Sequence, residues 1–268
     1  GSAGFMGSHL AHALINRGDD VFALDLVHPD DAWRLRDLIQ QSSSFHYLWG
    51  STSDVATDLE VDAIVHLSSV TDVRFSRHNP VFTLQRNTQD FLSLLQPRAP
   101  FPHTIVFSSH SVYGRQAVIP TPEDVALHPS TLYGASKVAL ESVALAAYHE
   151  EGWPITVVRP SLMYGEKERP GALVSLFLGK ALRGERIVLD GGGQQTRDIV
   201  HVSDVVRAIL LLLDRGGEVT GQVFNIGSGE EVTIHRVAQL AVTSMHNGTI
   251  ELGPRRAGEE GRLFLDSS

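Results

Sequence analysis

The chain has 268 residues, enough to bury a sizeable core as one large α/β domain or as a main domain with a smaller lobe. Apolar residues make up 42% and charged residues 20%, which excludes the disordered and fibrous classes. A net charge of −9, with Lys and Arg scattered rather than clustered, argues against a surface for a nucleic-acid phosphate backbone and so against nucleic acid as a partner.

The chain has no cysteine, so disulfide frameworks and thiolate metal sites are excluded. Its 13 histidines form no HExxH pattern, and no metal site is expected. The longest apolar run, Ala208 to Leu213, falls well short of the roughly 20 residues that span a bilayer. The sequence therefore predicts a soluble, cytoplasmic protein with no membrane partner.

In chain order, the first predicted element is a helix from Ser8 to Arg17, stopped by Gly18. A short apolar strand, Val21 to Leu24, follows and ends on Asp25. The alternation then recurs: a strand over Ala63 to Leu67, a helix over Pro80 to Leu95, a strand over Thr104 to Phe107, a helix over Ser130 to Glu151 and a strand over Ile155 to Val158. Short apolar strands alternating with helices predict an α/β fold whose parallel sheet is covered on both faces. Past Arg159-Pro160 the pattern loosens into a Gly/Pro-bearing loop, a helix to Arg183 and the turn Asp190 to Gly193. Residues 1–160 are thus expected to form the main domain and 161–268 mainly a smaller lobe. The apolar helix Ser203 to Asp214 and the strand Val223 to Ile226 put 198–226 back on the first sheet.

The opening GSAGFMG spaces Gly1, Gly4 and Gly7 as GxxGxxG ahead of the first helix. Glycines there permit a tight turn whose backbone N–H groups approach a pyrophosphate, which the positive helix N-terminus favours. A glycine-rich turn without a ligand is the alternative. Asp25, at the end of the next strand, favours the dinucleotide reading, because a carboxylate there hydrogen-bonds both ribose hydroxyls of NAD and repels the extra phosphate of NADP.

Tyr133-Gly134-Ala135-Ser136-Lys137 places a phenol and an ammonium one helical turn apart. Such an ammonium stabilises a phenolate, and with a positive nicotinamide ring nearby the phenol becomes a general base for a hydroxyl proton. An amphipathic helix with a surface lysine has the same spacing. Between the two motifs, Phe107 to Gly114 clusters hydroxyls at the C-terminal end of a predicted strand, where ligands bind in open α/β sheets. A serine-rich turn is the plain alternative.

Taken together, these motifs resemble the extended short-chain dehydrogenase/reductases of the NAD-dependent nucleotide-sugar epimerase/dehydratase family, nearly end to end and in family order. GSAGFMGSHL resembles TGGAGFIGSHL, His66-Leu67-Ser68-Ser69 resembles HLAA, and Phe107 to Gly114 resembles the serine-rich segment ending in VYG. Tyr133 to Lys137 resembles YxxxK, Arg159-Pro160 with Tyr164-Gly165 resembles RPxxxYG, and Thr196 to Val202 resembles RDYIHV. Phe224 to Gly227 resembles YNIG, and Arg256 to Glu259 resembles RPGD.

The resemblance implies a Rossmann doubly wound sheet with a smaller C-terminal substrate lobe, NAD as cofactor, a nucleotide sugar such as a UDP-sugar as substrate, and a homodimer built on helices such as Pro80–Leu95 and Ser130–Glu151. It implies Tyr133 as catalytic base, Lys137 as its partner and ribose ligand, and Ser109 as the catalytic hydroxyl. The cofactor set would comprise Gly1, Gly4, Phe5, Met6, Gly7 and Asp25 at the turn and first strand. Ser51, Thr52, Leu67, Ser68, Ser69 and Asn87 would follow, then Tyr133, Lys137 and Pro160. Ser109, His110, Ser111, Tyr133 and Glu259 would bind the substrate, with Arg197 and Arg256 at its pyrophosphate, where a guanidinium fork matches phosphate oxygens.

The chain departs from the family at several points. Leu162 stands where many members have a substrate-binding asparagine, Gly50-Ser51-Thr52 replaces GD[IL] at the adenine end, and Glu259 replaces the aspartate of RPGD. His110 beside Ser109 is unusual, with an ordinary loop histidine as the alternative reading. The 4,6-dehydratases of the family carry Thr-Asp-Glu where this chain has Ser109-His110-Ser111, so dehydration lacks its carboxyl groups. The expected reaction is epimerisation at C4 of a UDP-hexose or UDP-hexuronate through a transient 4-keto sugar. A nucleotide-4-ketosugar reductase or dehydrogenase and a catalytically silent NAD-binding protein are the alternatives. The glycine turn normally hangs from a central strand, so the sequence predicts residues before Gly1 or a fragment, and relatives continue beyond Leu263 to Asp266.

Overall fold

The computed structural model describes residues 1–55, 59–95, 101–115, 118–254 and 261–268. The first half runs α1 (Phe5–Arg17), β1 (Val21–Asp25), α2 (Arg36–Gln41), β2 (Phe45–Trp49), α3 (Thr52–Val55), β3 (Ala63–His66), α4 (Val73–His78), α5 (Pro80–Leu92), β4 (His103–Phe107) and α6 (Leu132–Glu151). The second runs β5 (Ile155–Pro160), β6 (Leu162–Tyr164), α7 (Leu173–Leu182), β7 (Arg186–Leu189), β8 (Thr196–His201), α8 (Val202–Arg215), β9 (Val223–Ile226), β10 (Glu231–Thr233), α9 (Ile234–Met245) and β11 (Thr249–Leu252).

The predicted helices and strands are present with ends shifted by a few residues. The first helix starts earlier, at Phe5, and ends as expected where Gly18 takes a φ of 96°. The α5 helix stops at Leu92 and α6 starts at Leu132, where the Thr131 hydroxyl accepts a hydrogen bond from Gly134 N at 3.0 Å.

Two parallel sheets flank the glycine turn, one ordered β1-β2 and the other β3-β4-β5-β9. Gly1 lies between them. Its amino group donates to the Leu24 carbonyl at 2.9 Å, and a Cβ on it would sit 2.7 Å from the Leu67 carbonyl carbon.

Both faces of the larger sheet are buried. Ile105, Phe107 and Val158 meet Met6 and Leu10 of α1 and Val205, Val206 and Ile209 of α8. On the opposite face Val106, Ile155 and Val157 meet Phe91 of α5 and Leu140, Ala144 and Ala147 of α6. This is why these strands read as continuous apolar runs.

The strand β9 pairs with β5, and α8 packs against α1, so this part of 198–226 does return to the first sheet. Residues 198–201 do not. They belong to β8, which joins β6 and β10 in a second, three-stranded sheet, beside a two-stranded sheet of β7 and β11. The two small sheets share a core with α7 and α9, built on Phe177, Ile187, Leu189, Ile234 and Val237. No helix among the described residues is long and apolar enough to cross a membrane.

A buried polar network locks α6 to the sheet. Arg159 at the end of β5 forks onto Glu141, with Nε to Oε1 at 3.0 Å and Nη2 to Oε2 at 2.7 Å. Its Nη1 also donates to the Tyr113 hydroxyl at 2.8 Å and to the Glu123 carbonyl at 2.9 Å. The Tyr113 hydroxyl in turn donates to Asn225 Oδ1 of β9 at 2.7 Å. Removing one member leaves a buried charge without its counter-charge, whereas an apolar pair restores neutrality. Arg159→Met is expected to cost about 3–5 kcal/mol in urea denaturation, and the double change Arg159→Met/Glu141→Leu to recover most of that loss.

Candidate active site

The C-terminal ends of β3, β4 and β5 converge on one region, with the glycine turn at one side and the start of α6 at the other. Gly4, the N-cap of α1, has no side chain with which to cap the first turn. The backbone N–H groups of that turn are therefore the donors on offer to an anion. Gly7 permits the tight coil of the turn, because a Cβ there would lie 2.3 Å from the Gly1 carbonyl oxygen. Asp25 pins the turn to β1, with Oδ2 accepting from Ala3 N at 2.9 Å and Oδ1 from Val27 N at 3.0 Å.

The first turn of α6 approaches the Ser109 loop closely. A Cβ at Gly134 would sit 2.4 Å from the Ser111 carbonyl oxygen, so this glycine lets the helix reach the end of β4. Tyr133 is thereby buried against Ser109. Burial pushes its phenol above the usual tyrosine value, and a hydrogen bond with Ser109 and the charge of Arg169 act in the opposite direction. Ser109 Oγ also accepts from Ser111 N at 3.1 Å.

Lys137 is 2% exposed, and its Nζ donates to the Phe107 carbonyl at 2.7 Å. Burial lowers its ammonium to about 7, against a smaller upward pull from Glu141 one turn on. The phenol thus meets Ser109 and the field of Arg169, while the lysine is anchored to the end of β4.

The remaining sequence-predicted residues divide into two groups. Thr52 Oγ1 in α3 and Ser69 Oγ after β3 are buried without a hydrogen-bond partner among the described residues, as are Ser2 Oγ in the turn and Ser108 Oγ after β4, to which the sequence reading gave no site role. Polar atoms in that state are met by a bound ligand or by ordered water. Together with the glycine turn and the Asp25 carboxylate, they fit a dinucleotide cofactor.

The other predicted residues are engaged within the protein. Asn87 is fully buried, with Oδ1 accepting from Val70 N at 2.6 Å and Nδ2 donating to Ser136 Oγ at 2.8 Å, so its amide clips the loop after β3 to α6. Ser68 Oγ donates to Asp90 at 2.5 Å, and Ser51 Oγ donates to Asp54 at 2.6 Å. Met6 is a core residue of the first cluster, against which Phe5 and Leu67 also pack, which leaves their backbones for a cofactor. His110 Nδ1 donates to the Pro160 carbonyl at 3.2 Å. Arg197 lies on β8 with Nη1 donating to the Thr196 carbonyl at 2.7 Å. Arg256 and Glu259 lie outside the described residues.

Three residues to which the sequence reading gave no site role matter here. Glu141 carries a legible signal, an acid one turn past Lys137 on the same helix. Arg169 sits in the loop after β6 with no periodic context. His66, 4% exposed at the end of β3, has Nε2 buried without a partner, and burial with the nearby Lys137 charge holds the ring neutral down to about 3. An unfolded histidine binds a proton near 6.5 that the folded one refuses, so stability falls as pH drops from 6.5 toward 3. One such group contributes at most about 1.4 kcal/mol per pH unit. His66→Asn should lose this part of the acid slope when urea denaturation at pH 7 is compared with that at pH 5.

Comparison with known proteins agrees with this geometry. The family model of the NAD dependent epimerase/dehydratase family matches residues 1–227. UDP-glucuronate 4-epimerase 3 of Arabidopsis thaliana is 30% identical over 261 residues, covering 87% of this chain and 61% of that protein. The crystal structure of a UDP-glucose 4-epimerase from Thermotoga maritima, solved with UDP-glucose, superposes with a TM-score of 0.88 at 28% identity, covering 100% of this chain and 88% of that one. A dTDP-glucose 4,6-dehydratase from Streptomyces venezuelae, solved with NAD, superposes with a TM-score of 0.89 at 28% identity, covering 100% and 87%.

Proposed function

The chain belongs to the NAD-dependent epimerase/dehydratase family, and from that premise we propose that it epimerises a UDP-hexose or UDP-hexuronate at C4 through a transient 4-keto sugar. The observation that carries this reading is the buried Tyr133 phenol set against Ser109 at the end of β4, on a segment that offers no carboxyl group at 109–111. Dehydration requires an acid and a base for C5 and the C6 hydroxyl besides the phenol. Chemistry confined to C4 requires only one proton acceptor at the hydroxyl.

NAD supplies a reversible acceptor for the C4 hydride and is unchanged after a full cycle. The residues of the chain handle the proton. Tyr133, deprotonated, accepts it from the C4 hydroxyl, with Ser109 sharing the hydrogen bond as charge moves between the two oxygens. Lys137 and Arg169 supply positive charge that favours the phenolate. The buried setting strengthens both effects, because few water dipoles remain to screen them.

The proposal includes a homodimer. Val81, Leu84 and Leu92 are 67%, 47% and 48% exposed along one face of α5, beside α6, and a second copy would cover them. Sedimentation should give twice the chain mass, and Val81→Asp/Leu84→Asp should give the monomer.

Incubation with UDP-glucose, UDP-galactose, UDP-glucuronate and UDP-galacturonate in turn should interconvert one C4 pair without net change in NADH. No conversion of any pair contradicts the proposal, and stoichiometric consumption of added NADH with a 4-keto sugar supports a reductase instead. Tyr133→Phe should lower turnover by about 100-fold or more while NAD binding persists, because it removes the proton acceptor and little of the binding surface.

A further inference from the structure

The segment 165–171, between β6 and α7, runs from one side of the site to the other. On the glycine-turn side, His9 Nε2 hydrogen-bonds the Glu166 carbonyl at 2.7 Å, and Arg34 Nε donates to the Lys167 carbonyl at 2.9 Å. Lys167 Nζ returns a bond to the Arg34 carbonyl at 3.2 Å, and Arg34 Nη1 reaches the Ala3 carbonyl of the turn itself at 3.5 Å. Two residues on, Arg169 Nη1 pairs with Asp72 Oδ2 at 3.1 Å, while Asp72 Oδ1 caps α4 by accepting from Arg74 N and Phe75 N. The segment thus ties the glycine turn, where the pyrophosphate would lie, to the rim beside Tyr133, where the nicotinamide would lie.

The contacts are of a kind that opens and recloses. Arg169 and Asp72 are 54% and 45% exposed, and exposed pairs of this sort are individually weak. Lys167 is held at a φ of 63°, a left-handed conformation that a non-glycine residue keeps only while its surroundings fix it.

We propose that residues 165–171 form a clasp that closes over bound NAD, with Arg34 and Arg169 as its two fasteners, and that the clasp keeps the cofactor in place between catalytic cycles. This rests on the C4-epimerase reading and deepens it. A cofactor restored within each cycle has no need to leave, whereas a net dehydrogenase must exchange it at every turnover.

The test follows cofactor release in the absence of sugar, so it reads out whether or not C4 chemistry occurs. Protein loaded with radiolabelled NAD is freed of excess by gel filtration and chased with unlabelled NAD. Arg34→Ala/Arg169→Ala should release label about 10-fold faster than the unaltered protein, as expected from the loss of one half-buried and one exposed fastener. Arg183→Ala, which breaks the exposed Arg183–Glu185 pair outside the segment, should leave release unchanged. Equal release from the double variant and the Arg183→Ala control overturns the proposal.

A second variant keeps the test valid should the double alanine protein fail to fold. The chain has no cysteine, so a bismaleimide added to Asp72→Cys/Arg169→Cys joins only those two positions. Linked after loading, the protein should hold its NAD; linked before loading, it should take up none. Unimpeded exchange through the linked segment refutes the clasp.

Discussion

Arg159 and Glu141 are 4% and 2% exposed, a depth at which each charge survives only because the other meets it in a two-bond fork. One end of that fork is the C-terminus of β5 and the other is the middle of α6. Tyr113 and Asn225 extend the lock to β9, and the Glu123 carbonyl brings the loop before α6 into it. Lys137 lies one turn before Glu141 on the helix and Tyr133 one turn before that. The height of the phenol above the end of β4 is therefore set by an ion pair that touches neither Ser109 nor a ligand.

With α6 held there, the chemistry of the site follows from burial. His66 stays neutral, Lys137 loses its proton near neutrality far more readily than an exposed lysine, and the Tyr133 phenol rises unless charge and hydrogen bonds oppose it. These shifts share one cause, the removal of water from the ends of β3 and β4. The same dryness leaves Ser2, Thr52, Ser69 and Ser108 with unsatisfied hydroxyls, which a dinucleotide would satisfy.

Much of this was legible in the residues. The GxxGxxG turn, Asp25, the serine cluster and the Tyr133–Lys137 spacing are local patterns, and each falls on the element expected of it. The parallel sheet was legible because its strands are buried on both faces and read as apolar runs. The strands β2, β6, β7, β8, β10 and β11 were not. Most of their residues are half-buried or exposed, so they carry no run of the kind that marks a strand covered on both faces. Residues 198–201 were placed on the first sheet because they precede an apolar helix that does return there. Asp198 instead holds them in the second sheet, with Oδ1 accepting from Ser228 N at 2.8 Å. Asn87 shows the same limit. Its bonds to Val70 and Ser136 join the loop after β3 to α6, contacts that no local pattern encodes. The role of Arg169 depends on a loop crossing to Asp72, a contact between residues 97 positions apart that no local pattern encodes.

The central claim is that C4 is oxidised and reduced within one closed site by one retained cofactor. Its most direct measurement uses the UDP-sugar that the protein turns over, deuterated at C4, with mass and proton spectra of the epimeric product. The account predicts deuterium fully retained at C4 of the product and none in solvent or in free NADH. Protium at C4, or label recovered in NADH released from the protein, would contradict it.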